Sequence, residues 1–179
     1  LNFPDDRYTY LGTFDPSDEV KTQATSWFTS DTEIIFAAAG GAGSSVMSAA
    51  EDEDKWMIGV DVDQSENSDK VLTSATKALA TSVQEMLERY YDDDFPGGET
   101  VRLGADLDGV SLPMENSRFD ETDLGSEFTQ SDYDSIYSEL ADGDIDVPET
   151  YSELEDFFSD NDLDTLEIEQ DTVEPPEDE

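Results

Sequence analysis

A continuous apolar run at residues 33–38, Glu33-Ile-Ile-Phe-Ala-Ala38, constrains the fold of this chain more than any other feature. Because the run shows no polar alternation, it is typical of a strand buried on both faces of a parallel sheet. Gly40-Gly41-Ala42-Gly43 ends it at once. The segments Lys55–Val60 and Val71–Ser74 are also predicted to be strands.

Helices are predicted between these strands. The first predicted helix begins after Asp15-Pro16-Ser17. Four more are predicted at about 44–51, 75–91, 129–141 and 150–158, and a Thr129…Asp132 capping box opens the helix 129–141. Two further strands are predicted at Tyr8–Phe14 and Glu99–Gly104. Alternating strands and helices favour an α/β fold with a mostly parallel sheet flanked by helices. We expect residues 1–158 to form this lobe and the acidic residues 159–179 to be a disordered tail.

The charge of the chain is extreme, with 48 acidic against eight basic residues and a net charge of −40. Contact with nucleic acid or an anionic membrane is therefore unfavourable. Three explanations stay open: adaptation to high salt, engineered surface charge, or a polyanionic lure for a basic partner. Cysteine and histidine are both absent, which removes disulfides, thiolate chemistry and the commonest general base.

The carboxyl ends of the predicted strands are where a ligand would bind in such a sheet. Four segments follow strand ends: 14–15, 36–43, 61–64 and 74–77. The glycine segment among them is not a P-loop, because Gly43-Ser44-Ser45 lacks lysine, and it is not a dinucleotide motif, because Val46 replaces the third glycine. Its glycines either let backbone N–H groups approach a ligand or form a tight turn that packs a helix on the sheet.

Two charged residues at strand ends are candidate ligand contacts. Asp61 directly follows an apolar strand, where a carboxylate can accept hydrogen bonds from vicinal hydroxyls, whereas Asp63 fits an acidic turn better. Lys77 is one of four lysines and falls in the first turn of the predicted helix 75–91, where the helix dipole disfavours a cation. We therefore expect it to donate to a ligand hydroxyl, a chance survivor being the alternative.

Metal binding and catalysis find little support in the residues. Asp142-x-Asp144-x-Asp146 mimics a calcium loop, but Val147 stands where the turn needs glycine. No pair of carboxylates is distinguished from the others as an acid–base pair. We expect no cofactor, no dedicated metal site and no enzymatic activity.

The sequence resembles the basic membrane protein family, the nucleoside-binding lipoproteins of ABC importers. The matching segments, in chain order, are Tyr10–Asp15, Ile34–Gly43, Ile58–Gln64, Val71–Lys77, Phe95–Gly98, Leu103-Gly104 with Asp108–Val110, and Ala141–Pro148. The resemblance implies one lobe, the C-terminal half, of a two-lobed type I periplasmic-binding-protein (Venus-flytrap) receptor that captures a purine nucleoside.

The resemblance also implies roles for individual residues. Phe36 would stack on the base, Gly40 and Gly41 would let the backbone approach it, Asp61 would hold the ribose hydroxyls and Lys77 would bind the sugar. The full-length protein would be extracytoplasmic, would deliver its ligand to an ABC transporter permease, and would meet the membrane only through a lipid anchor that this sequence lacks. The helix 75–91 resembles a segment that crosses to the other lobe, so we expect its apolar stripe to be exposed or to dimerise.

Two other hypotheses differ in class from a receptor lobe. The first is a stand-alone acidic interaction protein, or an engineered or halophilic scaffold, whose cleft has no transport role. The second, weaker one is a flavodoxin-like enzyme domain, which would need a cofactor for which the sequence holds no motif.

Overall fold

The computed structural model describes residues 9–122, 125, 127–145, 147–148, 153 and 157. The chain divides into two units, Leu11–Asp146 and the two chain ends, Leu1–Tyr10 with Val147–Glu179. The helices of the unit Leu11–Asp146 are α1 (Asp18–Phe28), α2 (Gly43–Glu53), α3 (Leu79–Tyr91) and α4 (Gln130–Asp142), with short 3₁₀ turns at Gly40–Ala42, Ala105–Leu107, Met114–Asn116 and Phe119–Glu121.

A four-stranded sheet forms the centre of this unit. Its strands are β1 (Ile34–Phe36), β2 (Trp56–Asp61), β3 (Val71–Lys77) and β4 (Val110–Ser111), arranged in the order β1-β2-β3-β4. The first three strands are parallel, and β4 joins β3 antiparallel. The predicted α/β architecture with a mostly parallel sheet is therefore confirmed.

The core lies between this sheet and the first two helices. The Ser17 hydroxyl caps α1 by accepting a hydrogen bond from Val20 N, and Val20, Ala24 and Phe28 recur at every fourth position, so one face of α1 is buried. Small residues of α2, such as Ala49 and Ala50, allow close packing on this face. Met57 of β2 is fully buried here, a burial that stabilises the fold by about 1.5–3 kcal/mol.

Helix α4 has no buried residues and is held by polar contacts. Thr129 and Asp132 form the predicted capping box at the start of α4. The Tyr133 hydroxyl accepts a hydrogen bond from Leu112 N at 3.2 Å, and the Tyr137 hydroxyl donates one to Val110 O at 3.0 Å. These two contacts attach α4 to the edge strand β4 and the residues after it.

Two predicted strands are wrong over the described residues. Residues 9–14 form no strand, because Gly12 adopts a left-handed conformation and Asp15 N bonds to the Thr13 hydroxyl, a local turn that competes with sheet pairing. Residues 99–104 also form no strand, since Gly109 N donates to Gly104 O and folds the chain into a loop. The edge strand is β4, a few residues later.

The predicted boundary between strand and helix at residues 74–79 is also wrong. Strand β3 continues to Lys77, because Thr76 and Lys77 pair with Ser111 and Val110 of β4. Helix α3 begins only at Leu79. Lys77 is therefore the last residue of a strand, and the argument that it opposes a helix dipole does not apply.

Some expectations fall outside the described residues. Glu153 and Phe157 are helical, but the rest of the predicted helix 150–158 and the predicted tail 159–179 are not described. No helix of the described part is long and apolar enough to span a bilayer.

Candidate functional site

Two of the candidate ligand residues meet at the carboxyl ends of β2 and β3. Asp61 pairs in register with Thr76, and the next residue of β3 is Lys77. The Asp61 carboxylate lies 2.8 Å from the Lys77 ammonium group, and both side chains are well exposed, at 45% and 62%. Because neither group is buried, the pair contributes little to stability and both remain accessible to a ligand.

The backbone turns sharply at Asp61, the last residue of β2. Asp61 has φ 70°, and Val62 N donates to Val60 O at 2.8 Å across it. Such a tight three-residue turn is strained for a residue other than glycine, and strain of this kind is concentrated at functional sites. Two hydrogen bonds from Gln64 stabilise the turn. Its backbone N–H donates to the buried Ser74 hydroxyl, and its side-chain amide donates to Val60 O.

Asp63 has the structural role that an acidic turn predicts. One of its carboxylate oxygens accepts Ser65 N at 3.0 Å, and the other accepts the Asn116 side-chain amide at 2.7 Å. Burial raises the pKa of Asp63, but the hydrogen bonds from Ser65 and Asn116 and the positive charge of Arg118 lower it more, so the pKa lies below its ordinary value. The carboxylate of Asp63 is therefore occupied within the protein.

The glycine segment packs against Phe14. A Cβ atom on Gly40, whose φ is 54°, would lie 3.3 Å from the Phe14 ring, and one on Gly41 would lie 2.9 Å from the Phe14 carbonyl oxygen. Only glycines allow the chain to cross here so closely. Gly40 and Gly41 therefore lie against residues 14–16 and not against a helix packed on the sheet. The crossing places Phe14, which is 75% exposed, beside the loop that follows β1.

Phe36 lies farther from the carboxyl edge of the sheet than Asp61. It is exposed at 52% and pairs in register with Ile58, three residues before Asp61 on β2, which corresponds to about 10 Å along a strand. The structure thus brings Asp61 and Lys77 together and places Phe14 on Gly40 and Gly41. Residues 14–15 were marked from the sequence as following a strand end, but Phe14 was assigned no role there.

No group of three or more acidic side chains in the described part of the chain is arranged to hold a metal ion. The chemistry of the site therefore consists of one carboxylate, one ammonium group and aromatic rings. Such a set fits hydrogen bonding to hydroxyl groups next to stacking on a flat apolar ring.

Known proteins match most of the chain. The sequence model of the family described as "Bmp: ABC transporter substrate-binding protein PnrA-like" matches residues 7–148. A "CD4+ T-cell-stimulating antigen" of Listeria monocytogenes is 32% identical over 157 residues, covering 78% of this chain and 42% of the relative. An "ABC transporter nucleoside-binding protein BmpA" of Lactococcus lactis is 29% identical over the same shares. The chain thus spans less than half the length of these relatives.

The fold matches that of a solved receptor. A solute-binding protein of an ABC transporter system from Aeropyrum pernix superposes with a TM-score of 0.63 at 16% identity, over 85% of this chain and 50% of that one. This agrees with the predicted α/β fold with a sheet flanked by helices. Members of such a family bind substrates and catalyse no reaction, which confirms the prediction that the chain is not an enzyme. The match of the family model over residues 7–148 shows that the chain belongs to the Bmp family of PnrA-like ABC transporter substrate-binding proteins.

Proposed function

We propose that this chain forms the lobe of an ABC importer's binding protein that holds a purine nucleoside at the carboxyl edge of the sheet. The exposed Asp61–Lys77 pair, 2.8 Å apart at the ends of adjacent strands, is the observation that carries the proposal. Asp61 accepts hydrogen bonds from the two ribose hydroxyls, and Lys77 donates to a sugar oxygen. Binding replaces part of the ion pair with contacts to the ligand.

The base stacks on an aromatic ring beside the glycine loop. Phe14 fits this role because its exposed ring lies on Gly40, next to the turn after β1. Phe36 is the alternative. It is also exposed, but it pairs with Ile58, three residues before Asp61 on β2. Gly40 and Gly41 act mainly by letting Phe14 approach, and they leave backbone close to the ligand.

The cellular setting follows from the family. We propose that the protein works outside the cytoplasm, delivers nucleoside to an ABC transporter permease and is held at the membrane by a lipid anchor in its full-length form. Its net charge of −40 suits a cell or medium of high salt, where screening removes the repulsion between carboxylates. The stand-alone acidic interaction protein is the less favoured hypothesis. It would explain the negative charge but not the match of residues 7–148 to a family of substrate-binding proteins.

Titration calorimetry of the whole chain in molar KCl tests the proposal. Inosine, guanosine, adenosine and cytidine are titrated into the wild type and into Asp61→Asn. We expect purine nucleosides to bind, and the variant to bind at least tenfold more weakly because it loses the charged acceptor of two hydroxyls.

Asp31→Asn is the matched control, because Asp31 is exposed, has a similar left-handed φ of 68° and precedes β1 at the opposite edge of the sheet. It should bind like the wild type. If a chain that is folded by circular dichroism binds no nucleoside, the proposal is overturned for this lobe. If Asp61→Asn and the wild type bind equally, the site is wrong even though the ligand class is right.

Substitution of the two phenylalanines separates the aromatic candidates. We expect Phe14→Leu to weaken purine binding by several-fold while Phe36→Leu has a small effect, since only Phe14 lies on the glycine loop. The reverse order would assign the base to Phe36.

A further inference from the structure

Gln64, three residues after the end of β2, holds the turn at Asp61 with two separate groups. Its backbone N–H donates to the Ser74 hydroxyl at 3.0 Å, and its side-chain amide donates to Val60 O at 3.0 Å. Ser74 is fully buried in β3, and Gln64 is itself half-buried. The loop after β2 is therefore tied to the neighbouring strand and also folded back onto the last residues of its own strand.

The carbonyl oxygen of Val60 accepts both hydrogen bonds that close the turn. Val62 N lies 2.8 Å from this oxygen, and the Gln64 amide nitrogen lies 3.0 Å from it. A three-residue turn with a positive central φ, here 70° at Asp61, is rare and strained for a residue other than glycine. Strained backbone of this kind persists only where the surrounding structure holds it. The Gln64 amide supplies such a hold, because it fixes the direction of the carbonyl on which the turn closes.

A glycine makes room for the Gln64 side chain. A Cβ atom on Gly59 would lie 2.9 Å from Gln64 Oε1 and 2.7 Å from the Ser74 hydroxyl oxygen, both closer than an ordinary contact. Gly59 lies in the middle of β2, where a glycine weakens a strand and often marks a close approach of other groups. The approach of Gln64 and Ser74 explains its place there. Positions on two strands and one loop thus serve the same arrangement.

We propose that Gln64 is a positioning residue for the ligand site, which fixes the backbone at Asp61 together with Ser74 and Gly59 before a ligand arrives. The inference rests on the proposed function, which gives the Asp61 carboxylate its contact with the sugar hydroxyls. Gln64 acts through Asp61 and does not itself contact the ligand. When the turn can open, only the fraction of molecules with a closed turn binds, so the apparent affinity falls in proportion to that fraction.

A double-mutant cycle, measured by titration calorimetry with purine nucleosides in molar KCl, tests this role. Gln64→Met keeps the size of the side chain but removes its amide donor, and it should weaken binding by about fivefold, the change that loss of one hydrogen bond produces. Asp61→Gly removes the carboxylate and relieves the strain of a positive φ. In that background Gln64→Met should have no further effect, whereas a residue that only stabilises the fold would weaken binding equally in both.

Nuclear magnetic resonance relaxation provides a readout without a ligand. In the wild type the amides of Asp61 and Val62 should have the order parameters of rigid backbone, about 0.85, and in Gln64→Met they should fall towards the value of about 0.6 that marks flexible segments. Gln130→Met is the matched control, because the Gln130 amide also donates a hydrogen bond, to Asp134 Oδ1 at 2.7 Å, but on exposed α4. It should change neither the order parameters of the turn nor the affinity.

Gly59→Ala is an independent check, because its methyl group displaces the Gln64 amide while Gln64 and Asp61 stay in the chain. It should weaken binding as Gln64→Met does. The inference is overturned if Gln64→Met binds like the wild type, if it weakens binding equally in the Asp61→Gly chain, or if the amides of the turn stay rigid. A wild type that binds no nucleoside overturns the proposed function and this inference with it, whereas a wild type that binds as well as Gln64→Met overturns the inference alone.

Discussion

Residues 20–74 and residues 75–145 belong to one unit but bury their side chains very differently. In the described part of the chain, every buried side chain lies between Val20 and Ser74. Among the residues described after Ser74, only Gly109 is buried, and helices α3 and α4 have no buried residue. We call residues 20–74 the core half and residues 75–145 the open half.

The difference shows that the candidate site depends on the core half for its precision. Asp61 is held by the turn that Gln64 anchors on the buried Ser74. Lys77 lies at the border, in the part of β3 that pairs with β4 of the open half. The backbone at Asp61 is therefore anchored on the core half, whereas the strand end that carries Lys77 pairs with the less buried strand β4. Such an arrangement suits a site in which an ion pair must give way to contacts with a ligand.

The largest expected effect is the loss of stability when a side chain of the core half is truncated, compared with a truncation in the open half. Met57→Ala should lower the free energy of unfolding by about 2–5 kcal/mol, because Met57 is fully buried and the cavity cannot collapse completely. Leu87→Ala in α3, where the side chain is 53% exposed, should change it by no more than about 0.5 kcal/mol. Urea denaturation in molar KCl measures both. Equal losses would remove the distinction between the two halves.

The sequence predicted the core half well and the open half poorly, for a physical reason. The segments Ile34–Phe36 and Trp56–Asp61 carry continuous apolar runs that favour strands. In β1, however, Ile35 is buried while Phe36 is 52% exposed, so the expected burial of this strand on both faces is wrong; residues 71–74 of β3 are buried throughout. In the open half the end of β3 is decided by hydrogen bonds to β4, which is 33 residues away in sequence (Lys77 to Val110). No local pattern reveals such a pairing, so the helix was expected to start too early.

The site shows the same division. Asp61 and Lys77 were predicted from their positions at strand ends, and the structure brings them together. The proximity of Phe14 to the glycine loop depends on how residues 11–16 cross residues 40–41. That crossing replaced a predicted strand, so periodicity could not have located the ring.

Salt should act on the open half more than on the core half. Helix α4 carries Asp132, Asp134, Glu139 and Asp142 with no base, and polar contacts rather than apolar burial attach it. Screening of carboxylate repulsion should therefore raise the melting temperature by several degrees from low to molar KCl, since 1 kcal/mol corresponds to about 2–4 °C at this size. Hydrogen exchange should slow more in α4 than in β2. A melting temperature that is independent of salt would contradict the prediction.

A single hydroxyl tests how α4 is attached. Tyr137→Phe removes the hydrogen bond from the Tyr137 hydroxyl to Val110 O and should lower the free energy of unfolding by about 0.5–1.5 kcal/mol. Because Val110 pairs with Lys77, amide exchange at the end of β3 should rise as well. Tyr133→Phe is a useful comparison, since its hydroxyl accepts from Leu112 N, one residue beyond β4. If exchange at Lys77 is unchanged in Tyr137→Phe, the open half does not support the cation of the site.

The smallest effect concerns a side-chain contact from the open half to the turn that follows Asp61. Asn116 donates to Asp63, and this bond helps to hold the pKa of Asp63 below its ordinary value. A carboxyl whose pKa is lowered by folding stabilises the protein above its unfolded pKa of about 3.9, and that contribution is lost as the pH falls through the folded value. Asn116→Ala should therefore raise the pKa of Asp63, as measured by NMR titration of its carboxyl carbon. The stability gap between variant and wild type should be present at pH 7 and close in acid. If the pKa does not move, the Ser65 hydrogen bonds and the charge of Arg118 set it, and Asn116 does not support the turn beside Asp61.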